Sequence, residues 1–203
     1  MIFDLIPKKI SCAGRLEIRT KVFGQQLDMD MQEELKKIKL LLLDVDGVLT
    51  DGKIIYDDQG LETKFFNVKD GMGIRLLIKC GLDVGIITGR RSRVVEHRCA
   101  NLGIEKVYQG VSNKATTFKK IIAESALSER EVAYMGDDLP DLPLFDIVGL
   151  PIAVADACDL VRKKARIVTR AGGGQGAVRE VCEMILKAQE LWDKVIASFY
   201  HDS

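Results

Sequence analysis

From residue 38 onwards, apolar runs alternate with segments in which apolar residues recur at helical spacing. The first run, residues 39–45, is almost continuously apolar and ends in acid, which is typical of a strand buried on both faces of a parallel sheet. The same pattern predicts further strands at residues 83–87, 107–108, 132–135, 149–154 and 165–168. Helices are predicted at residues 71–80, 91–102, 113–125, 139–145, 157–162 and 175–189.

A hairpin interrupts this alternation after the first strand. Segments 54–56 and 62–67 flank the turn Asp57-Asp58-Gln59-Gly60, whose residues favour chain reversal. Elsewhere strands and helices alternate, and this order predicts an α/β fold with a doubly wound parallel sheet covered by helices on both faces.

The two ends of the chain lack a clear period. We expect residues 1–37 to be a poorly ordered N-terminal extension, within which Met29 or Met31 is an alternative start of the native protein. The domain is expected over residues 38–190, with a hairpin flap at 51–67 and a C-terminal tail at 191–203.

Composition excludes several classes of function. Hydrophobic residues make up 47% of the 203 residues, enough for one substantial core, and no apolar run approaches the ~20 residues of a membrane span. Lys+Arg and Asp+Glu both number 30, so the charge balance indicates neither nucleic acid nor an acidic membrane as a partner. The five cysteines never form Cys-x-x-Cys, and we expect reduced thiols in a cytoplasmic protein.

Residues suited to phosphate chemistry follow two of the predicted strands. Asp44 and Asp46 end the first strand, and two carboxylates held close together favour a bound cation. Thr88 ends another buried strand, where its hydroxyl suits a phosphate oxygen, although the same group would also serve as a helix N-cap. Because ligands of doubly wound sheets bind beyond the carboxyl ends of strands, we expect these side chains at one edge.

A lysine and an acidic cluster extend the set. Lys114 opens a helix, where the helix dipole disfavours an ammonium group unless an anion is present. The stretch Gly136-Asp137-Asp138-Leu139-Pro140-Asp141 follows a strand, and its carboxylates would either cap a helix or bind a hard cation. Each feature alone also fits a structural role, but their order, each after its own strand, indicates a single site.

This order of motifs resembles the haloacid dehalogenase superfamily in its phosphatase branch. Within it, the stretches LLLDVDGVLTDGKI, FNVKDGMGIRLL, ITGRRS, HRCANLGI, YQGVSNK, GDDLPDLPL and AGGGQGAVREVC are similar to those of the 3-deoxy-manno-octulosonate 8-phosphate phosphatases, which serve bacterial lipopolysaccharide synthesis. The resemblance extends over residues 38–189. It implies a magnesium-dependent phosphatase that acts on a small sugar acid phosphate.

The resemblance also implies the chemistry of the motif residues. Asp44 would attack phosphorus and form an aspartyl-phosphate. Asp46 would protonate the leaving sugar oxygen and then activate the water that hydrolyses the intermediate. Mg²⁺ would be held by Asp44, the Asp46 backbone carbonyl and Asp137.

The remaining residues carried over from the family bind or orient the substrate. Thr88 and Lys114 would bind phosphate oxygens, and Asp138 and Asp141 would act through water or by orienting Lys114. The substrate contacts would be Asp46, Asn67, Val68, Lys69, Asp70, Gly71, Arg75, Arg90, Arg98 and Lys114. The arginines among them suit bidentate binding of the sugar carboxylate.

The relatives also suggest how the site is covered. Intervals 46–88 and 114–137 leave no room for the inserted cap domain that many superfamily members use to keep water out. The relatives instead form a tetramer around a barrel of hairpins, so we expect a capless homotetramer. A glycine-rich joint at 172–176 would let the C-terminal segment swing over the pocket and bring Arg170 and Arg179 to the sugar carboxylate.

Three alternatives stay open at this point. A receiver-type signalling domain also uses an aspartate acceptor and Mg²⁺, but its acceptor lies on the third strand. A phosphatase for a sialic-acid-type 9-phosphate would differ at residues 67–71, where Asn-Val-Lys-Asp-Gly favours the octulosonate branch. The third alternative is a non-catalytic module that regulates a sugar-nucleotide enzyme. Such a module would not need the expected type of residue at every catalytic position, as this chain has. The choice among Mg²⁺, Mn²⁺ and Co²⁺ is also open.

Overall fold

Ten strands and eight helices occur in the part of the chain that the computed structural model describes, residues 20–22, 25–27 and 29–201. The strands are β1 (Thr20–Val22), β2 (Gln25–Leu27), β3 (Leu40–Leu43), β4 (Ile55–Tyr56), β5 (Glu62–Thr63), β6 (Asp83–Ile87), β7 (Lys106–Tyr108), β8 (Val132–Gly136), β9 (Leu150–Ala153) and β10 (Ile167–Val168). The helices are α1 (Met29–Lys37), α2 (Val68–Lys79), α3 (Arg93–Leu102), α4 (Lys114–Ser125), α5 (Leu142–Phe145), α6 (Asp159–Lys164), α7 (Ala177–Ala188) and α8 (Trp192–His201).

Six parallel strands form the central sheet, in the order β10-β9-β8-β3-β6-β7. Strand β3 lies at its centre because its four leucines are buried on both faces, with Leu43 opposite Ile86 of β6 and Met135 of β8. The chain winds outward from β3 in one direction and from β8 in the other. The crevice at the carboxyl ends of β3 and β8 is therefore the position where doubly wound sheets bind ligands. The predicted α/β fold is confirmed.

The helices form two groups around this sheet. Helix α2 packs against α7, and α7 against α1 and α8, while α4, α5 and α6 form the second group. The predicted cap of α4 is present, since Asn113 Oδ1 accepts from Thr116 N at 2.9 Å. Helix α2 begins three residues earlier than predicted, because Asn67 Oδ1 caps it by accepting from Lys69 N at 2.8 Å. None of the helices in the described residues is long and apolar enough to cross a bilayer.

The predicted hairpin is present but shorter than expected. Strands β4 and β5 pair antiparallel, with Ile55 opposite Thr63, and Asp57 Oδ1 closes the turn by accepting from Leu61 N at 2.8 Å. The second strand ends at Thr63 because Asn67 already caps α2. Within residues 46–88 and 114–137, all of them described, the structure contains no inserted domain that would cover the sheet edge.

The N-terminal extension differs from the expectation at its end. Residues 29–37 form α1, which docks on α7 and buries Leu35 completely. The Gln189 side-chain amide reinforces this contact by donating to Ile38 O at 2.7 Å. A nine-residue helix gains its stability from such packing rather than from its own periodicity, so the local pattern gave little sign of it. Residues 1–19 lie outside the described residues.

The C-terminal segment also differs from the expectation of a swinging arm. Helix α7 places Val178, Val181 and Ile185 in the core with no exposure, so it cannot leave the body without opening that core. Residues 192–201 of the expected tail form α8, which buries Val195.

The two arginines assigned to the swinging segment already have partners. Arg170 pairs with Glu180 at 3.3 Å. Arg179 pairs with Glu183 at 2.7 Å and lies over the Trp192 ring. The idea that they reach a sugar carboxylate stays a prediction.

Candidate active site

A cleft of about 330 Å³ opens at the carboxyl ends of the central strands. Asp44 directly follows β3, Thr88 follows β6, and Lys114 begins α4 beside them. These three side chains line the cleft together with Asp46 and Arg90. Residues from three separated parts of the sequence therefore meet at one point because parallel strands all end at the same edge.

Three carboxylates gather beside this cleft. Asp44, Asp137 and Asp141 each have an oxygen within 4.8 Å of the others. Burial raises the pKa of Asp44 to about 6, against the opposing effect of the Lys114 charge. Burial, reinforced by the charges of Asp44 and Asp141, raises the pKa of Asp137 to about 8. Such crowded oxygen ligands suit a hard divalent cation, whose charge would relieve their repulsion.

The loop after β3 requires glycine at the position that faces Asp137. Gly47 has a φ of +88°, and a Cβ there would lie 2.1 Å from Asp137 Oδ2. Any other residue would push this carboxylate away from Asp44. The glycine after the Asp-x-Asp motif thus allows the two acids to approach each other.

Lys114 is held as an ammonium group inside this acid cluster. Its Nζ donates to Asp44 Oδ2 at 2.6 Å, to Asp141 Oδ1 at 2.6 Å and to the Tyr134 hydroxyl at 3.0 Å. Burial alone would lower the pKa of Lys114, but the charges of Asp44 and Asp141 outweigh it and the pKa is raised. A cation at this place can bind a phosphate oxygen next to Asp44.

Asp141 orients its neighbours rather than facing the cleft. Its side chain is 1% exposed, and Oδ1 accepts from Lys114 and from the Tyr134 hydroxyl at 2.6 Å. Oδ2 accepts from the backbone N–H groups of Asp137 at 2.8 Å and Asp138 at 3.2 Å. With four donors on its two oxygens, Asp141 fits the outer role expected of it, which stays a prediction.

The Asp46 carboxylate stands apart from the three clustered acids. It is paired through Oδ1 with the Lys64 ammonium group and through Oδ2 with Arg90 Nε at 3.4 Å.

The other predicted substrate contacts are not among the residues that line the cleft. The Asn67 side chain caps α2 and donates to Gly174 O at 3.2 Å. Arg98 donates to Asn67 O at 3.3 Å, and Arg75 donates to Asn101 O at 2.6 Å. Val68 and Lys69 are exposed beside Asn67, whereas Gly71 is buried.

The Asp70 carboxylate, which is also a predicted substrate contact, meets the start of α7. Its side chain is buried, and Oδ1 and Oδ2 accept from Arg179 N at 2.8 Å and Gly176 N at 3.3 Å. Both oxygens therefore cap the start of α7. A carboxylate used in this way supports the fold, and the substrate role of Asp70 stays a prediction.

Comparisons with known proteins agree with this geometry. A family model described as haloacid dehalogenase-like hydrolase matches residues 104–179. The 3-deoxy-D-manno-octulosonate 8-phosphate phosphatase KdsC of Escherichia coli strain K12 is 50% identical over 165 residues, which cover 81% of this chain and 88% of that protein. The chain belongs to the 3-deoxy-D-manno-octulosonate 8-phosphate phosphatase family. The resemblance predicted from the motifs is thereby confirmed.

Solved structures of this family share the fold. The Yersinia pestis 3-deoxy-D-manno-octulosonate 8-phosphate phosphatase superposes with a TM-score of 0.85 at 46% identity, covering 87% of this chain and 96% of that one. The Moraxella catarrhalis enzyme, solved in complex with magnesium ion, phosphate ion and a KDO molecule, gives 0.82 at 44% identity, with coverages of 84% and 98%. The cobalt-bound Haemophilus influenzae enzyme gives 0.75 at 40% identity, with coverages of 77% and 92%.

Three polar residues beside the cleft were not predicted from the sequence, namely Glu62, Lys64 and Tyr134. Glu62 and Lys64 stand two residues apart at the end of the hairpin, so the strand period alone places them on one face. Tyr134 lies inside an apolar strand, so the sequence predicts only a core residue at this position. In the structure the side chain is fully buried, and its hydroxyl donates to Asp141, which indicates a polar role.

Proposed function

We propose that this chain is a Mg²⁺-dependent phosphatase that hydrolyses 3-deoxy-D-manno-octulosonate 8-phosphate, with Asp44 as the nucleophile. The observation that carries the proposal is the setting of Asp44, whose carboxylate meets the Lys114 ammonium group at 2.6 Å within the acid cluster. The relatives named above support the eight-carbon sugar acid over a nine-carbon sialic-acid-type phosphate.

The oxygen donors of Asp44 and Asp137 fit Mg²⁺, since both carboxyl groups have raised pKa values that a nearby cation would reverse. With the Asp46 backbone carbonyl they form the proposed ligand set. When bound, Mg²⁺ supplies charge neutralisation of the phosphate, which lets an anionic nucleophile approach.

The chain's own residues perform the remaining steps. An Asp44 oxygen attacks phosphorus, the bond from phosphorus to the sugar oxygen breaks, and that oxygen takes the proton of Asp46. Lys114 and the Thr88 hydroxyl hold the non-bridging phosphate oxygens. Asp46, now ionised, takes a proton from the water that attacks the aspartyl-phosphate and returns Asp44 to its starting state.

The first test is phosphate release from a panel of esters in the presence of Mg²⁺: the eight-carbon sugar acid phosphate, a sialic-acid-type 9-phosphate and p-nitrophenyl phosphate. The eight-carbon ester should give the highest kcat/KM. Asp44→Asn should lower kcat by at least about 10³-fold because it removes the nucleophile. Asp159→Asn, which changes a 74% exposed acid, serves as the control and should leave kcat unchanged. If the wild-type protein released no phosphate from any ester, the proposal would fail.

We also infer a homotetramer, in which the hairpin covers a neighbour's cleft. The support is a set of exposed apolar side chains on the hairpin and the start of α2: Ile54, Tyr56, Leu61, Phe65 and Val68 are 44–79% exposed. A surface of this kind on one face is typical of an interaction site.

The cytoplasm is the compartment that suits the chain, because Cys80, Cys99, Cys158 and Cys182 are free thiols.

A further inference from the structure

A second buried ammonium group lies beside the cleft, outside the metal and phosphate positions. The Lys64 side chain is 1% exposed, its Nζ donates to Asp46 Oδ1, and it lies 3.2 Å from Glu62 Oε1. Lysine is almost never fully buried unless it is paired, because removing its charge from water is costly. The contact with Asp46 therefore requires an explanation beyond a surface ion pair.

Glu62 holds this lysine in place. Its carboxylate accepts from the Ser92 hydroxyl and from Arg90 Nη2 at 3.0 Å, in addition to its ion pair with Lys64. Burial tends to raise the pKa of Glu62, but the hydrogen bonds from Ser92, Arg90 and Lys64 outweigh it, so the pKa is lowered and the group stays ionised. Two carboxylates and two cations are thus interlocked between the hairpin and the loop after β6.

The network approaches both oxygens of Asp46 but hydrogen-bonds only one of them. Lys64, at the end of the hairpin, donates to Oδ1, whereas Arg90 Nε, after β6, lies 3.4 Å from Oδ2 without a hydrogen bond. The Arg90 guanidinium is itself fixed by donating to the Tyr56 hydroxyl at 2.7 Å. The carboxyl group of Asp46 is therefore restrained in rotation about its side chain.

We propose that Lys64, seated by Glu62, is a positioning residue that orients the Asp46 carboxyl group toward the leaving oxygen of the phosphate ester. The inference rests on the proposed function, in which Asp46 gives its proton to that oxygen as the bond to phosphorus breaks. An acid displaced by about 1 Å loses much of its effect, so orientation has a large influence on rate. A purely structural role for Lys64 would instead be to tie the hairpin to the body.

Leaving-group dependence separates these two roles. A sugar alkoxide needs a proton as it leaves, whereas p-nitrophenolate is stable without one. In Lys64→Met, kcat/KM for the eight-carbon sugar acid phosphate should fall roughly 10- to 100-fold. The value for p-nitrophenyl phosphate should change less than about threefold, because its release does not depend on Asp46. Lys64→Arg should restore part of the loss, since it returns a cation to Asp46.

The control and the contrary outcomes are defined on the same two substrates. Lys106→Met removes a half-buried lysine that is paired with Asp83 at 3.0 Å, far from the cleft. It should change kcat/KM for neither ester. An equal loss on both esters in Lys64→Met, or no loss on the sugar ester, would overturn the inference while leaving the phosphatase itself intact. If Lys64→Met fails to fold, Glu62→Gln is tested instead by comparing kcat/KM for the same two esters. In that variant kcat/KM should fall for the sugar ester alone, and by less than in Lys64→Met.

Discussion

At the scale of single residues, the cleft contains more buried negative charge than its one ammonium group can balance. Lys114 lies between Asp44 and Asp141, while Asp137 stands within the same cluster and has a pKa raised to about 8. Burying a charge without a partner is costly, so the described side chains alone leave this cluster under electrostatic strain. A divalent cation is the simplest group that would remove it.

This imbalance predicts a pH-dependent response to metal. In the metal-free protein, Asp44 and Asp137 hold protons more tightly than the unfolded chain, whose aspartates titrate near 3.8. The folded state therefore binds more protons than the unfolded state, and the free energy of unfolding falls as pH rises from about 4 to about 8. Because Mg²⁺ binds the ionised carboxylates, saturating Mg²⁺ should raise Tm by roughly 5–10 °C at pH 8 and by clearly less at pH 6.

The measurement is thermal unfolding with EDTA and with Mg²⁺ at both pH values. Asp137→Asn should lose most of the rise in Tm and its dependence on pH. An equal rise at pH 6 and pH 8 in the wild-type protein would show that these carboxylates do not bind the metal.

At the scale of elements, the glycine-rich loop before α7 supports the loop that carries Asp44 and Asp46, the proposed catalytic aspartates. Gly174 N donates to Val48 O at 2.9 Å, and Gly173 N donates to Asp156 Oδ1 at 2.9 Å. A Cβ on Gly173 would lie 1.8 Å from Gly47 O. These glycines therefore allow two backbones to touch, and they do not act as a hinge in the described structure.

Gly173→Ala should accordingly disturb both stability and catalysis. The added methyl group would force the two loops apart at a cost of about 1–3 kcal/mol, and kcat should fall because Asp44 and Asp46 shift with their loop. Urea unfolding and steady-state kinetics measure the two effects. Gly81→Ala is the matched control, since Gly81 has a φ of +83° but open space around it, and should cost about 1 kcal/mol without changing kcat. Equal effects in both variants would contradict the proposed contact.

At the scale of the whole molecule, the hairpin has no apolar cover within the described residues of one chain. Phe65 and Val68 are 72% and 79% exposed. The proposed tetramer would cover these side chains with another copy of the chain, and such cover would also exclude water from the cleft.

Phe65→Asp should weaken this assembly, because it places a charge in an apolar interface. Sedimentation should show a tetramer for the wild-type protein and smaller species for the variant. Tyr200→Asp changes a 78% exposed aromatic residue on α8 and should keep the tetramer. A wild-type protein that sediments as a fully active monomer would refute the proposed assembly.

Much of the fold and of the site could be predicted because the signals are local. Each buried strand is an apolar run, and Asp44, Thr88 and Asp137 each end such a run. Because parallel strands end at the same edge of a sheet, these three residues are expected to lie close together even when no distance between them is known. Elements stabilised by distant contacts were harder to predict, since α1 depends on its docking against α7 and contains only one fully buried side chain.

The amino-acid sequence by itself determined the α/β fold, the strand ends that carry the candidate chemistry and the family, because strand and helix periods and motif order are properties of neighbouring residues. Only the tertiary structure decided which polar groups pair. Asp70 meets the start of α7 across 106–109 residues, and Lys64 meets Asp46 across 18. Such partners depend on how strands and helices pack, and the free energy of each contact arises only when burial removes both groups from water.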